Sequence, residues 1–146
     1  MPDACSAPIR RTFANEAAFT AFAADFSRRL RPGDVVALGG PLGSGKTTFA
    51  RAIVRALHGS DQGSSPTFTF WHRYEGCPLI DHLDFYRIRD SNEIVELGLD
   101  DAFDGTSIVL VEWWENAPDI VGDRQYEIRI DGAGDSPRCV ECVARP

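Results

Sequence analysis

Lysine is almost absent from this sequence: of fifteen basic residues fourteen are arginine, and the one ammonium belongs to Lys46. Acidic residues outnumber basic ones by 22 to 15, for a formal net charge of -7. That balance argues against a general polyanion binder, because non-specific affinity for nucleic acid comes mostly from Lys and Arg neutralising phosphates. Any connection to RNA is therefore expected to run through a partner. Long apolar runs are missing as well. No stretch approaches the ~20 residues of a membrane span, and Met1 to Phe13 lacks the basic-then-apolar layout of a secretory signal. No membrane association is expected, and the cytoplasm is the expected compartment. Cysteine is sparse: Cys5, Cys77, Cys139 and Cys142 are read as free thiols. Cys139-x-x-Cys142 stands alone, whereas a closed zinc site needs two more ligands nearby. With 146 residues and no repeat, low-complexity tract or linker, the chain is read as a single domain over 1–146.

What the chain does contain is Gly40-Pro41-Leu42-Gly43-Ser44-Gly45-Lys46-Thr47, the G-x-x-x-x-G-K-[ST] phosphate-binding loop with every fixed position filled. Its context matches the chemistry. Val35-Val36-Ala37-Leu38 before it reads as a strand buried on both faces of a parallel sheet. After it, Phe49, Ala50, Ile53, Val54 and Leu57 form a helical stripe that His58-Gly59 terminates. Glycines let successive backbone N–H groups approach phosphate oxygens, and the helix N-terminus adds partial positive charge. The solitary Lys46 stands where a compact cation suits terminal phosphates better than a guanidinium fork.

The remaining pattern predicts a helix from about Asn15 to Leu30, with Phe19, Phe22, Ala23, Phe26 and Leu30 on its core face. Thr67 to Tyr74 and Leu79 to Tyr86 alternate as two strands of an antiparallel hairpin turned at Glu75-Gly76, after a loop over Ser60 to Pro66. Ser91 is the expected N-cap of a short helix ending at Gly98, with a further turn at Asp100 to Phe103. Ile108-Val109-Leu110-Val111 reads as a second buried parallel strand ending at Glu112. Tyr126 to Ile130 and Arg138 to Val143 read as antiparallel strands joined through Gly132-Ala133-Gly134. The fold class expected is α/β: a P-loop NTPase-like three-layer fold, its mostly parallel sheet carrying an added antiparallel hairpin and antiparallel C-terminal strands.

Phosphoryl transfer from ATP needs a cradle, a magnesium ion with its oxygen ligands, and a group that positions the attacking water. Gly43, Ser44, Gly45, Lys46, Thr47 and Thr48 supply the cradle, and Thr47 is the loop hydroxyl placed for Mg2+. Two acids contend for the second magnesium ligand, Asp84 and Glu112, each at a strand end; Glu112 has the better strand, since ligands bind at the carboxyl ends of parallel strands. Thr67 follows Ser65-Pro66 in the loop where phosphate-sensing NTPases place a threonine over the terminal phosphate. His82, Asp84 and Tyr86 share one face by period-2 spacing, as a hydrogen-bonded network or a catalytic group. Three functions fit: an ATPase, a small-molecule P-loop kinase, and a nucleotide-gated binding module. A GTPase is disfavoured, because the Asn-Lys-x-Asp base reader needs a second lysine.

Five ordered motifs narrow the choice. Gly40-x-Leu42-Gly43-x-Gly45-Lys46-Thr47-Thr48-Phe49, Ser65-Pro66-Thr67-Phe68, His82-x-Asp84-x-Tyr86-Arg87, Glu96-Leu97-Gly98-Leu99 and Val111-Glu112-Trp113 together resemble the bacterial TsaE family. The resemblance implies a single P-loop ATPase domain needed for threonylcarbamoyladenosine modification of tRNA. It implies ATP and Mg2+ as cofactors, ADP as product, a TsaB–TsaD heterodimer as partner, and tRNA contact only through that complex. Hydrolysis would be slow alone and stimulated by the partner. By the same resemblance Thr47 and Glu112 are magnesium ligands, Thr67 is the switch threonine and Asp84 is catalytic or positions water. Pro41 and Trp114 depart from the family pattern, which usually has an acid at the first position and a proline or small residue at the second.

Overall fold

The computed structural model describes residues 8–61, 64–68, 70–122 and 124–144, with 64–68 as backbone alone. In chain order the elements are β1 (Ile9–Phe13), α1 (Glu16–Ser27), β2 (Val35–Gly39), α2 (Lys46–His58), β3 (Ser64–Phe68) and β4 (Trp71–Tyr74). Then follow β5 (Ile80–Asp84), α3 (Ser91–Glu96), β6 (Ile108–Glu112), β7 (Tyr126–Asp131) and β8 (Arg138–Ala144), with 3-10 turns at Leu99–Phe103 and Trp114–Asn116. All strands join one eight-stranded sheet in the order β1-β8-β7-β2-β6-β5-β4-β3. The central four, β7, β2, β6 and β5, are parallel, and antiparallel strands extend both edges.

β2 and β6 are apolar along their length because they are covered on both faces. Val36, Leu38, Ile108 and Leu110 face α1 and α2, while Ala37, Val109 and Val111 face the layer of α3 and the 3-10 turns. The α1 stripe does what its spacing predicts. Phe19, Phe22 and Phe26 all pack on Phe49 of α2, with ring centroids 5.6, 6.2 and 6.1 Å away. Asn15 caps α1 by accepting the Ala18 N–H at 2.9 Å.

Five local expectations are corrected. The alternating run from Thr67 to Tyr74 is not one strand: β3 and β4 fold back on each other, pairing Pro66 with His72 and Phe68 with Trp71 across a register shift. Alternation carries no mark of where a chain reverses, so Ser64 to Pro66, expected in a loop, belong to β3. β7 pairs antiparallel with β8 as expected, yet its other edge lies parallel to β2, a crossover set by tertiary packing. The cap of α3 is Asp90, whose carboxylate accepts the Glu93 N–H, and Ser91 is already helical. α1 ends at Ser27, three residues before Leu30.

One fully buried carboxylate locks β5 to its neighbours. Asp81, wholly inaccessible, accepts from Trp71 Nε1 at 2.7 Å, Arg73 Nε at 2.8 Å and Ser107 Oγ at 2.6 Å. It thereby ties β4 and the entry to β6 to the middle of β5, and it holds the Arg73 guanidinium above its ordinary pKa. Removing it takes one shared acceptor from Trp71, Arg73 and Ser107 at once. Asp81→Ala should destabilise the fold by about 3 kcal/mol, in the range for breaking a buried ion pair from one side. Urea denaturation measures this, and a midpoint equal to wild type would show the network to be dispensable.

Candidate functional site

The phosphate loop joins β2 to α2, and its shape depends on glycine at two points. Gly40 has φ 136°, and a Cβ there would run into the Ile130 carbonyl oxygen; Gly45 has φ 109° with the Phe19 ring 3.2 Å from the same notional atom. Neither place admits a side chain. α2 therefore begins at Lys46, at the carboxyl end of β2.

Lys46 is buried. Its Nζ donates to Gly40 O at 2.6 Å and Pro41 O at 3.0 Å, and lies 4.1 Å from the centroid of the Trp113 ring. Burial lowers its pKa, and the nearby carboxylates of Glu112, Glu115 and Asp84 oppose that shift. The next residue meets β6. Thr47 Oγ1 stands 2.9 Å from each Glu112 carboxylate oxygen, and Glu112 Oε2 is 2.6 Å from His82 Nε2 on β5. Glu112 and His82 are only 4% and 5% exposed. Register explains the meeting: Leu38, Glu112 and Asp84 lie side by side at the ends of β2, β6 and β5.

Asp84 is the second carboxylate at this level. Burial raises its pKa, the Tyr86 N–H bonded to Oδ1 at 3.0 Å lowers it, and the Glu112 charge raises it again. Across from His82 stands His72, with ring centroids 6.3 Å apart; burial, then His82 and Arg51, lower the His72 pKa.

The structure thus gathers Lys46, Thr47, Glu112 and Asp84 at one end of the sheet, with Gly43, Ser44 and Gly45 forming the loop. Thr48 turns away from Glu112 and lines a cavity on the other flank. Thr67 lies on β3, but its side chain is outside the described residues. Tyr86 does not share the strand face with His82 and Asp84: β5 ends at Asp84, and Asn116 Nδ2 donates to Phe85 O at 2.8 Å, holding the turn that follows. The Tyr86 ring instead meets Trp113 edge-on, centroids 5.0 Å apart. Sequence reasoning missed the direct His82–Glu112 contact and the Lys46–Trp113 stack. The even spacing of His82 and Asp84 was the only signal for the first, and the second follows from a backbone turn, Trp113 at φ 57°, that no local pattern encodes.

Magnesium prefers hard oxygen ligands and is usually held by one or two side chains plus substrate phosphates. An exposed hydroxyl and a buried carboxylate, already oriented toward each other, fit that donor set. Cys142 is buried, and that burial pushes its thiol up to about 11. Cys139 is free, Cys5 lies outside the described residues, and no metal-holding group of three ligands occurs among the described residues.

The model of the threonylcarbamoyl adenosine biosynthesis protein TsaE matches residues 13–140. The chain belongs to the TsaE family. It is 39% identical over 115 residues to the tRNA threonylcarbamoyladenosine biosynthesis protein TsaE of Bacillus subtilis, covering 78% of this chain and 72% of that protein. Against the Rickettsia prowazekii TsaE it is 42% identical over 96 residues, covering 64% and 66%. The matches span about two thirds to three quarters of these relatives' own lengths. Among solved structures, the crystal structure of Bacillus subtilis YdiB superposes with a TM-score of 0.74 at 31% identity, covering 96% of this chain and 87% of that one. TsaE proteins take part in tRNA threonylcarbamoyladenosine biosynthesis, and the mixed parallel and antiparallel sheet is that of this structural neighbour.

The environment of Asp84 generates a pH-dependent prediction. A carboxylate whose folded pKa is raised makes its full contribution below its unfolded value and loses it as pH rises through the folded value. Asp84→Asn keeps the acceptor for the Tyr86 N–H and removes the half-buried charge. It should raise Tm at neutral pH, with the gain vanishing as pH falls to the ordinary carboxylate value of 3.8. Thermal melts across that range check this; a gain independent of pH would refute it.

Proposed function

We propose that the chain is the magnesium-dependent, ATP-binding and ATP-hydrolysing subunit of threonylcarbamoyladenosine synthesis on tRNA, acting in the cytoplasm through a TsaB–TsaD complex. The observation that carries the proposal is the Thr47–Glu112 pair, hydrogen-bonded at 2.9 Å beside Lys46. It supports reading an anion cradle and a hard-oxygen cation site side by side. The acidic chain, with its net charge of -7, favours contact with tRNA through the partner rather than directly.

The loop amides of Gly43 to Thr48 and the helix N-terminus bind the phosphates, and Lys46 exchanges its carbonyl partners for terminal phosphate oxygens. Thr47 and Glu112 would hold Mg2+, which when bound neutralises charge on the terminal phosphates. His82 orients the Glu112 carboxylate through the contact at Oε2. Asp84, a carboxylate with a raised pKa at the same sheet end, orients the attacking water and accepts its proton at a carboxylate oxygen. The water oxygen then bonds to the terminal phosphorus as the bridging oxygen departs, giving ADP and phosphate. Thr67 closes over the terminal phosphate, a role its place in the sequence motif assigns.

Lys46→Ala should weaken ATP binding by about tenfold to a hundredfold, the effect of losing charge-assisted hydrogen bonds. Glu112→Gln should leave ATP binding in EDTA intact while abolishing its enhancement by magnesium and the hydrolysis. Calorimetry and phosphate release measure both, with turnover rising when TsaB and TsaD are added. Unchanged ATP affinity in Lys46→Ala would overturn the assignment.

A further inference from the structure

An open sheet ends in two edge strands, each offering a row of unpaired backbone N–H and C=O groups. Here they are β3 and β1. β3 carries Pro66, which has no N–H to offer a further strand. β1 carries no proline. Ile9-Arg10-Arg11-Thr12-Phe13 pairs with β8 along one edge, and among the described residues nothing pairs with the other. Its three middle residues are exposed.

Alternation puts Ile9, Arg11 and Phe13 on the face that α1 covers. Ile9 and Phe13 pack on the core there, and Arg11 lines a cavity of about 170 Å³ between β1 and α1. The rest of its lining is apolar at Ile9, Phe22, Phe26 and Cys142, and charged at Arg29 and Asp25. The carboxylates of this neighbourhood already have arginines beside them. Asp25 lies 4.0 Å from Arg28, and Glu141 of β8 lies 3.8 Å from Arg10. Arg11 and Arg29, both exposed, have no carboxylate partner among the described residues. Two unpaired guanidiniums thus stand beside an apolar cavity at an open sheet edge, on a chain whose net charge is -7.

We propose that the outer edge of β1 docks an extended acidic segment of a protein partner, which adds a strand to the sheet, seats one apolar side chain in the cavity and sets carboxylates against Arg11 and Arg29. Each observation selects one part of that occupant. Unpaired backbone groups along a five-residue strand, ~17 Å long, call for an extended peptide backbone rather than a phosphodiester chain. The cavity is well under the ~300 Å³ of small-molecule sites and suits a single side chain. The unpaired arginines select acid. None of these residues belongs to the phosphate loop or its carboxylates, so the docking edge stands independently of the nucleotide reading.

The test follows the backbone amides of the isotope-labelled full chain by NMR. Its probe is the synthetic peptide acetyl-Asp-Glu-Leu-Glu-Val-Glu-Asp-amide. One control replaces every acid by lysine; another N-methylates alternate residues, removing the donors that a new strand needs. The acidic peptide should shift the Ile9–Phe13 amides and slow their hydrogen exchange, and both controls should fail to do so. Arg11→Glu combined with Arg29→Glu should weaken binding by about tenfold, since two ion pairs are lost and replaced by repulsion. Melting curves check that this variant is folded. No shift at about 1 mM acidic peptide, equal binding by either control, or shifts confined to elements other than β1 and α1 would each overturn the docking edge. So would exchange protection of the outer β1 amides without peptide: if it grows with protein concentration the edge belongs to a second copy, and if it does not, to the chain itself.

Discussion

The carboxylate of Glu112 is the point on which the arrangement turns. A buried carboxylate without partners is strongly unfavourable, and here two donors arrive from two different elements, Thr47 from α2 and His82 from β5. Both contacts exist only if β2, β6 and β5 end at the same height, which parallel pairing of Leu38, Glu112 and Asp84 ensures. A one-residue slip of β5 would turn His82 to the opposite face and bring Asp81 toward Glu112. The Asp81 network opposes that slip from the other side of the sheet, because Trp71, Arg73 and Ser107 bond it at only one register. One acid is thus held by a guanidinium and serves the fold, while the other is held by a hydroxyl and an imidazole and stays available to a cation.

Where the sequence could be read, a strong local pattern coincided with a strong tertiary demand. The strand–loop–helix from Val35 to His58 was legible because the loop glycines, the apolar strand and the α2 stripe each have one physical solution. Glu112 was legible as an acid ending an apolar strand. What stayed hidden depended on distant partners. Nothing local distinguishes a strand from Thr67 to Tyr74 from two short strands pairing around a register shift, since both alternate. The parallel edge of β7 required β2 to be free at that edge, and the departure of Tyr86 from its strand required Asn116, thirty residues on, to hold the Phe85 carbonyl. Ser91 and Asp90 are both good caps, and only the bond to the Glu93 N–H separates them.

Lys46 shows how the site accommodates a cation in a partly dehydrated place. Two carbonyl dipoles and the face of Trp113 surround the ammonium, and three carboxylates nearby favour its charged form against burial. Neither a carbonyl nor a ring face matches the full negative charge of a phosphate oxygen, so an arriving phosphate competes well for a group whose dehydration the fold has already imposed. Trp113 reaches this place only through left-handed backbone, a strain of about 1–3 kcal/mol for a non-glycine residue. Such strain persists where its surroundings over-determine it. Here the Tyr86 ring packs against Trp113, while the Asn116 amide fixes the turn that carries Tyr86. Since that turn also supplies the N–H on Asp84, the two sides of the site share a single mechanical support: a displacement of Trp113 by phosphate at Lys46 would be felt at Asp84, two residues before Tyr86.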